Sequence, residues 1–297
     1  MINNVLFILA EGDHDIAFIY RILKVNGFKT HNKKIKEYNE PLSQLFQSDI
    51  LNISIPEVNI MAAKSKFLPY RVMISDVDKN NTIVLYSIGG DSKDENRISL
   101  LKALNAFNQD DDDDLSIQAY PGTEISVLYF FDADEEGTDF RMNQIREELV
   151  KAFPHFPFEA TYDASVFHTI EDMKIGAYIF REVDNDKGML EDVLLPLMQE
   201  DNGDIFEAAE AFLAINKTCA LYKDKLKYDK VNISILKKVS SDKYAHRKSL
   251  IGTVGQLQKS GKSNTVCISD ADYITEDKIN SNTTCMEIIA LIKTVII

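Results

Sequence analysis

Four stretches of the chain are almost entirely apolar, and each predicts a buried β-strand. They are VLFILA (5–10), IVLYSIGG (83–90), ISVLYFFDAD (125–134) and KIGAYIFREV (174–183). A continuous apolar run, as opposed to an alternation of apolar and polar residues, is typical of a strand that is covered on both faces. Strands of this kind belong to the inside of a sheet that has helices on either side.

A helix is predicted after each apolar run. Ile16, Ile19 and Leu23 recur at helical spacing, and Gly27 is suited to end that helix. Further helices are predicted over about 94–107, over about 138–152, and from Met189 onward. The alternation of strand and helix predicts an α/β fold with a mainly parallel sheet between helices.

The rest of the chain has a different pattern. In residues 31–79, polar stretches and prolines separate short apolar segments. This pattern predicts an insertion after the first helix, with short strands of its own. We therefore expect an α/β domain over 1–200 and a mainly helical C-terminal region over 201–297 packed on it. Within that region we expect helices over 204–227 and 241–259, a late strand in 265–274, and a closing helix or strand over 286–297.

Composition narrows the class of protein. The chain has 297 residues, and no apolar run approaches the length of a membrane span. The first run is too short for the apolar region of a signal peptide. Three cysteines, Cys219, Cys267 and Cys285, match no zinc-binding spacing. These features lead us to expect a cytoplasmic protein.

The formal net charge of −14 argues against a broad nucleic-acid-binding surface, because phosphate contacts require Lys and Arg. Two features weaken this argument. A metal site concentrates carboxylates, and the bound cation then reverses the local charge. The five aspartates from Asp110 to Asp114 also add to the total, and we interpret them as a solvated loop.

Acidic residues follow two of the predicted strands. Glu11 comes directly after the first strand, and the third leads into Asp132, Asp134 and Glu136. Ligands of open parallel sheets bind beyond the carboxyl ends of the strands, and alternate residues of an extended segment point the same way. Carboxylates are the ligands that Mg²⁺ prefers. The pattern therefore predicts a magnesium site, although Asp-x-Asp is also common in turns and at helix N-termini.

Several segments resemble the Toprim domain. ILAEGDHDIAFIYRIL is similar to its first motif, in which a Glu closes the first strand, and VLYFFDADEEG is similar to its Asp-x-Asp motif. REVDNDKGMLEDVLLPLM resembles a Gly-x-Leu-Glu-Asp signature found downstream in stand-alone, OLD-like Toprim proteins of bacteria and archaea. The resemblance covers roughly residues 3–30 and 80–200, and the rest of the chain matches only loosely.

The resemblance implies a compact sheet of four parallel strands and a Mg²⁺-dependent nuclease that cleaves phosphodiester bonds in DNA or RNA, with Mn²⁺ as a substitute. It implies a set of acidic residues for the metal and the chemistry: Glu11 as general acid, general base or ligand, Asp132 and Asp134 as ligands, Glu136 in support, and Glu191 and Asp192 as a second acidic patch. Two-metal sites of this kind clamp the attacking and leaving oxygens of a phosphodiester. For Glu191 and Asp192, a favourable interaction with the helix dipole is an equally good explanation.

The resemblance also implies which partners the protein has. Many OLD-like Toprim nucleases work with an ABC/SMC-like ATPase, and this chain carries no ATPase segment, so we expect a separate ATPase partner and a role in antiphage defence. The sequence leaves a homo-oligomer open. A basic cluster, formed by Lys243, His246, Arg247 and Lys248, is a candidate for nucleic-acid binding. The same cluster also fits a charged helix face.

Two other functions fit the same residues. The first is a non-catalytic interaction module of Toprim fold that binds a metal or a nucleotide. The second is nucleotidyl transfer of the primase type, which uses the same metal chemistry, but no zinc-binding companion segment accompanies it.

Overall fold

The structure, a computed structural model, describes residues 3–51, 68–89, 94–106, 122–154, 167–170, 172–215, 226–228, 235–238 and 242–296. The described residues divide into two compact units. The first is 1–190 together with 283–297, and the second is 191–282. This division falls at residue 190 where the sequence suggested 200, and it assigns the last helix to the first unit. The aspartates 110–114 lie outside the described residues.

The first unit contains strands and helices in alternation. In chain order they are β1 (Asn3–Ala10), α1 (Asp13–Val25), β2 (Phe28–Thr30), a 3₁₀ helix (Ile35–Glu37), α2 (Leu42–Leu51), β3 (Arg71–Ser75), β4 (Asn81–Ser87), α3 (Asp94–Ala106), β5 (Thr123–Asp132), α4 (Thr138–Ala152), β6 (His168–Ile170) and β7 (Met173–Phe180). The strands β1, β4, β5 and β7 confirm the four predicted strands, and α1, α3 and α4 confirm the predicted helices between them.

The strands form one sheet in the order β2-β3-β4-β1-β5-β7-β6. Its centre, β4-β1-β5-β7, is parallel, and the outer strands β2, β3 and β6 pair antiparallel. The mainly parallel sheet predicted from the apolar runs is therefore confirmed. The predicted insertion, however, supplies β3 to this same sheet.

Both faces of the sheet are covered, which explains the continuous apolar runs. Phe7 and Leu9 of β1 belong to a core that includes Leu45 of α2, Leu101 of α3 and Ile145 of α4. On the opposite face, α1 contacts β1 and β4, and Phe18 of α1 lies 6.3 Å from the ring of Phe180. Side chains pointing either way from a central strand are thus removed from water, which provides the main stabilisation of the sheet.

The second unit is mainly helical. It contains α5 (Leu190–Gln199, which begins at the last residue of the first unit), α6 (Gly203–Leu213), the hairpin strands β8 (Leu226–Tyr228) and β9 (Ile235–Lys238), α7 (Asp242–Gln258), α8 (Asn264–Asp270) and α9 (Glu276–Ser281). The chain returns to the first unit as α10 (Thr283–Ile296). The predicted helix over 241–259 is confirmed by α7, and the closing segment is a helix.

Two predictions for this region are wrong. The helix expected over 204–227 ends at Leu213, and Leu226–Tyr228 is a strand that pairs with β9. The strand expected in 265–274 is the helix α8, followed by a loop. Short apolar segments fit the periodicity of a helix as well as that of a strand, and packing then decides which of the two forms. Here Cys267 and Ile268 are completely buried in the helical conformation.

Candidate acidic site at the ends of β1 and β5

Glu11 and Asp132 meet where two neighbouring parallel strands end. In the register of β1 and β5, Ala10 lies opposite Phe130, and the backbone N–H of Glu11 donates to the Phe130 carbonyl over 3.2 Å. The backbone N–H of Asp132 in turn lies 3.5 Å from the Glu11 carboxylate, to which it donates. The ends of the two parallel strands therefore bring Glu11 and Asp132 close together.

The Asp132 side chain also organises the start of α5. Its Oδ1 accepts a hydrogen bond of 2.7 Å from the backbone N–H of Leu190, the first residue of α5. Amides at a helix start lack partners within the helix, and a carboxylate is a favourable acceptor for them. Asp132 therefore links the end of β5 to the start of α5.

Asp134 departs from the extended geometry that the Asp-x-Asp spacing suggested. The strand ends at Asp132, and Asp134 has a φ of +51°, in the left-handed region. Its backbone exchanges hydrogen bonds of 2.7 and 3.0 Å with Gly188. The premise that Asp132, Asp134 and Glu136 follow one extended line is thus wrong, since this turn redirects the chain.

Arg141 occupies the acidic site. Its guanidinium donates to the Asp134 carboxylate over 2.5 Å, to the backbone carbonyl of Asp132 over 2.8 Å and to Gln144 over 2.8 Å. The Arg141 side chain is 4% exposed and that of Asp134 is 27% exposed. An arginine fork held by several acceptors is rigid, and it neutralises negative charge at the end of β5.

Glu136 and Gly137 complete the turn into α4. The Glu136 side chain is exposed. Gly137 has a φ of +91°, and a Cβ added there would lie 3.0 Å from the Asp186 carboxylate, so that glycine fits best. The structure thus places Glu136 at the surface beside the turn, and its role as a supporting ligand stays a prediction.

Glu191, Asp192 and the basic cluster lie together in the second unit. Arg247 forms an ion pair with Asp192, and Lys248 Nζ lies 3.8 Å from a Glu191 carboxylate oxygen. His246 is half-buried, and the side chain of Lys243 lies outside the described residues. The acidic patch predicted for metal and the basic cluster predicted for nucleic acid therefore face each other. Both roles stay predictions.

Sequence reasoning missed a buried ion pair beside the site. Arg97 of α3 binds Glu148 of α4 through two hydrogen bonds of 2.9 and 2.6 Å, and it donates to the Gly89 carbonyl over 2.7 Å. Burial by itself lowers the pKa of Arg97, but hydrogen bonding to Glu148 and the charge of that carboxylate raise the pKa overall. Arg97 thus fixes the turn after β4. Because Arg97 and Glu148 lie far apart in the chain, no helical or strand periodicity indicates that they form a pair.

Asp15 is a second residue that supports the site. Its carboxylate accepts a 2.7 Å hydrogen bond from the backbone N–H of Gly12, and its side chain is buried. This contact fixes the turn that follows Glu11 and precedes α1. An acid at the third helical position is a known N-terminal signal, so that this residue was recognisable from the sequence.

Some of the side chains at this site are suitable ligands for a hard cation. Glu11 and Asp132 carry carboxylates at adjacent strand ends, and the Asp132 carboxylate already accepts a hydrogen bond from the backbone N–H of Leu190. Asp134 is engaged by Arg141. Within the described ranges, no group of three or more His, Cys, Asp and Glu side chains is arranged to hold a metal ion. Magnesium is usually held by one or two carboxylates together with water and substrate phosphate. Glu11 and Asp132 are therefore the carboxylates that would hold such an ion.

The fold and the site define a mixed α/β protein with acidic residues at the carboxyl edge of a mainly parallel sheet. The chain belongs to the family described as "Protein of unknown function (DUF3226)", whose sequence model matches residues 5–282. Neither the curated proteins nor the solved structures contain a match to the chain. In the part of the chain that the structure describes, no helix is both long and apolar enough to cross a membrane.

Proposed function

We propose that the protein is a Mg²⁺-dependent phosphodiester hydrolase of Toprim type, acting on DNA or RNA through Glu11, Asp132 and Asp134. The observation that supports this most is the meeting of Glu11 and Asp132, where the two strand ends bring a carboxylate within 3.5 Å of the neighbouring backbone. Carboxylates paired across adjacent strand ends can hold a cation and move a proton.

Each acid has a distinct role in the proposal. Glu11 and Asp132 would hold the ion, and a bound Mg²⁺ supplies Lewis-acid activation of water and of a phosphoryl oxygen. Asp134 aligns Arg141, and the Arg141 guanidinium holds the Asp132 carbonyl. Arg141 is therefore a positioning residue. Its positive charge keeps the end of β5 in place, although carboxylates that repel one another lie nearby.

Cleavage assays test the proposal directly. Labelled single- and double-stranded DNA and RNA are incubated with the full chain in Mg²⁺, in Mn²⁺ and in EDTA. We expect metal-dependent cleavage, and we expect Glu11→Gln to reduce its rate by about 10²-fold or more, because the substitution removes a charge from the reacting centre.

The matched control is Glu124→Gln. Glu124 is the second residue of β5, at the opposite edge of the sheet, and its exposed side chain pairs with Lys174. This variant should cleave at the wild-type rate. Wild-type cleavage by Glu11→Gln would remove Glu11 from the mechanism.

A second candidate function is a non-catalytic module that binds a metal or a nucleotide. The ion pair between Asp134 and Arg141 favours it, since a carboxylate engaged in this way is a weaker ligand. Calorimetric titration with Mn²⁺ distinguishes the two. Metal binding that requires Glu11 and Asp132, without cleavage of any of the four substrates, would support the module over the enzyme.

A further inference from the structure

The turn that follows β7 lies beside the acidic site and carries two exposed cations. We refer to this segment, residues 181–188, as the β7 turn. Phe180, the last residue of β7, lies opposite Asp132 of β5, and the Phe180 carbonyl accepts a 2.9 Å hydrogen bond from the backbone N–H of Ala133. Since neighbouring strands are about 5 Å apart, Arg181 follows directly beside the end of β5.

Hydrogen bonds hold the β7 turn in a defined position. Gly188 exchanges two backbone hydrogen bonds with Asp134, and the Asp186 carbonyl accepts one of 3.0 Å from the backbone N–H of Thr138. The turn is thus joined both to the end of the acidic strand and to the start of α4. A ligand that binds to it would cost little backbone freedom, because the backbone is already fixed.

Arg181 and Lys187 are the cations of this turn. Both side chains are exposed, and neither forms a hydrogen bond or an ion pair with another residue that the structure describes. In the basic cluster, by contrast, Arg247 is paired with Asp192, and Lys248 Nζ lies 3.8 Å from a carboxylate oxygen. Arg181 and Lys187 can therefore bind an external phosphate without first releasing a protein partner.

Three acids lie on the same turn, Glu182, Asp184 and Asp186, and none of them pairs with either cation. The Asp186 carboxylate lies against Gly137, where an added Cβ would be 3.0 Å from it. The Glu182 carboxylate accepts a hydrogen bond of 3.1 Å from the Asn185 side chain. Attraction to a phosphate must therefore come from direct contacts with the two cations, and not from a broad positive field.

An exposed aromatic ring lies at the same edge of the sheet. Phe140 is in the first turn of α4, two residues after Thr138, and it is 44% exposed. The centre of the Arg141 guanidinium lies 5.9 Å from the Phe140 ring centroid, and Arg141 also binds the Asp134 carboxylate. A ring that is held near the acids and open to solvent is suited to stack on a base, which a single strand offers more readily than a duplex.

We propose that the β7 turn and Phe140 bind single-stranded nucleic acid, with backbone phosphates on Arg181 and Lys187 and a base stacked on Phe140. Arg181 lies one strand from Asp132 and two from Glu11, or about 5 and 10 Å, so that a nucleic acid lying along this edge passes the acids. Cations combined with an aromatic ring are the usual elements of single-strand binding. This assignment rests on the phosphodiester hydrolase proposed above, and it narrows the substrate to a single strand.

Fluorescence anisotropy of labelled single-stranded DNA and RNA oligonucleotides, titrated with the full chain in Ca²⁺ and in EDTA, tests the proposal. The wild type should bind a single strand more tightly than a duplex of the same sequence. Arg181→Met/Lys187→Met should weaken binding at least about tenfold and reduce the slope of log affinity against log salt by about 1.4, because each phosphate contact with a single strand contributes about 0.7. Phe140→Ala should weaken binding about tenfold and leave the salt slope unchanged, because the ring carries no charge.

Each variant has a matched control. Lys24→Met/Lys102→Met removes two exposed positive charges elsewhere in the first unit, and Lys24 lies in the last turn of α1, away from the acidic edge. Phe212→Ala removes a ring that is 60% exposed on α6 of the second unit. Both controls should bind within about twofold of the wild type, as expected for distant surface side chains. Circular dichroism establishes that every variant is folded.

The proposal is overturned if neither single strand binds, if the duplex binds as tightly, or if the folded Arg181→Met/Lys187→Met variant keeps the affinity and salt slope of the wild type. The hydrolase is tested separately. Single-strand binding that depends on Arg181, Lys187 and Phe140, without cleavage in Mg²⁺ or Mn²⁺, would contradict the hydrolase and support the single-strand site.

Discussion

Arg141 shows how single contacts define the candidate site. It is a nearly buried cation between the carboxylate of Asp134 and the carbonyl of Asp132. Removing it leaves a partly exposed carboxylate without this partner and a carbonyl without this donor. Such a loss destabilises the folded protein mainly because the remaining polar groups stay away from water without this partner. The lost attraction itself contributes less.

We expect Arg141→Met to lower the free energy of unfolding by about 1–3 kcal/mol, because buried hydrogen bonds to charged groups are lost. Urea denaturation measures the change. Arg146→Met is the control, since Arg146 lies on the same helix and its guanidinium bonds to Asn143 at the surface. Equal stability of the two variants would show that Arg141 does not hold the end of β5.

The sequence could indicate only part of this site. Glu11 and Asp132 were predictable, because each directly follows an apolar run and parallel strands end at the same edge. Arg141 and Arg97 were not, because the partners of these side chains are chosen by how helices pack on the sheet. Similarly, the left-handed conformation of Asp134 depends on its exchange of hydrogen bonds with Gly188.

At the scale of elements, α7 and α8 approach each other very closely. A Cβ added at Gly255 of α7 would lie 2.4 Å from Cys267 Sγ and 2.9 Å from Cys267 Cβ. Glycine usually weakens a helix, so its presence within α7 reflects the close approach of α8. Residues 264–270 make this contact as a helix, although their apolar content also suited a strand.

Gly255→Ala should therefore destabilise the protein by about 1–3 kcal/mol, the usual cost of an overpacked core, despite the better helix propensity of alanine. Thermal and urea unfolding measure the change. Cys267→Ala should recover part of the loss in the double variant, because it removes the nearer of the two atoms.

Gly252→Ala is the comparison within the same helix. The nearest atom to its added Cβ is the side-chain amide oxygen of Asn264, at 2.9 Å, which can rotate away. We expect a smaller effect there. A larger loss for Gly252→Ala than for Gly255→Ala would contradict the proposed packing constraint.

At the scale of the whole molecule, each compact unit contains a buried thiol. Cys285 of α10 belongs to the first unit and Cys267 of α8 to the second. Burial raises the pKa of Cys285 to about 12, and burial also raises that of Cys267. Because only the thiolate reacts, both thiols should be protected while their units are folded.

In a Cys219→Ser variant, we expect Ellman's reagent at pH 8 to label the thiols slowly in buffer and at once in denaturant. The free energy of unfolding should also fall as the pH rises above about 8.5, because the unfolded chain then loses thiol protons that the folded chain retains. Unfolding measured between pH 7 and pH 10 tests the sign. Rapid labelling of the folded protein would show that these thiols are accessible.

The sequence by itself determined the four central strands, the helices between them and the position of the acids at the strand ends. The four continuous apolar runs predicted strands covered on both faces, and they placed Glu11 and Asp132 at strand ends. Only the tertiary structure decided the sheet order, the addition of β3 to the sheet, the helical state of α8 and the partners of Arg141 and Arg97. These features depend on contacts between residues distant in the chain, for which no local period exists.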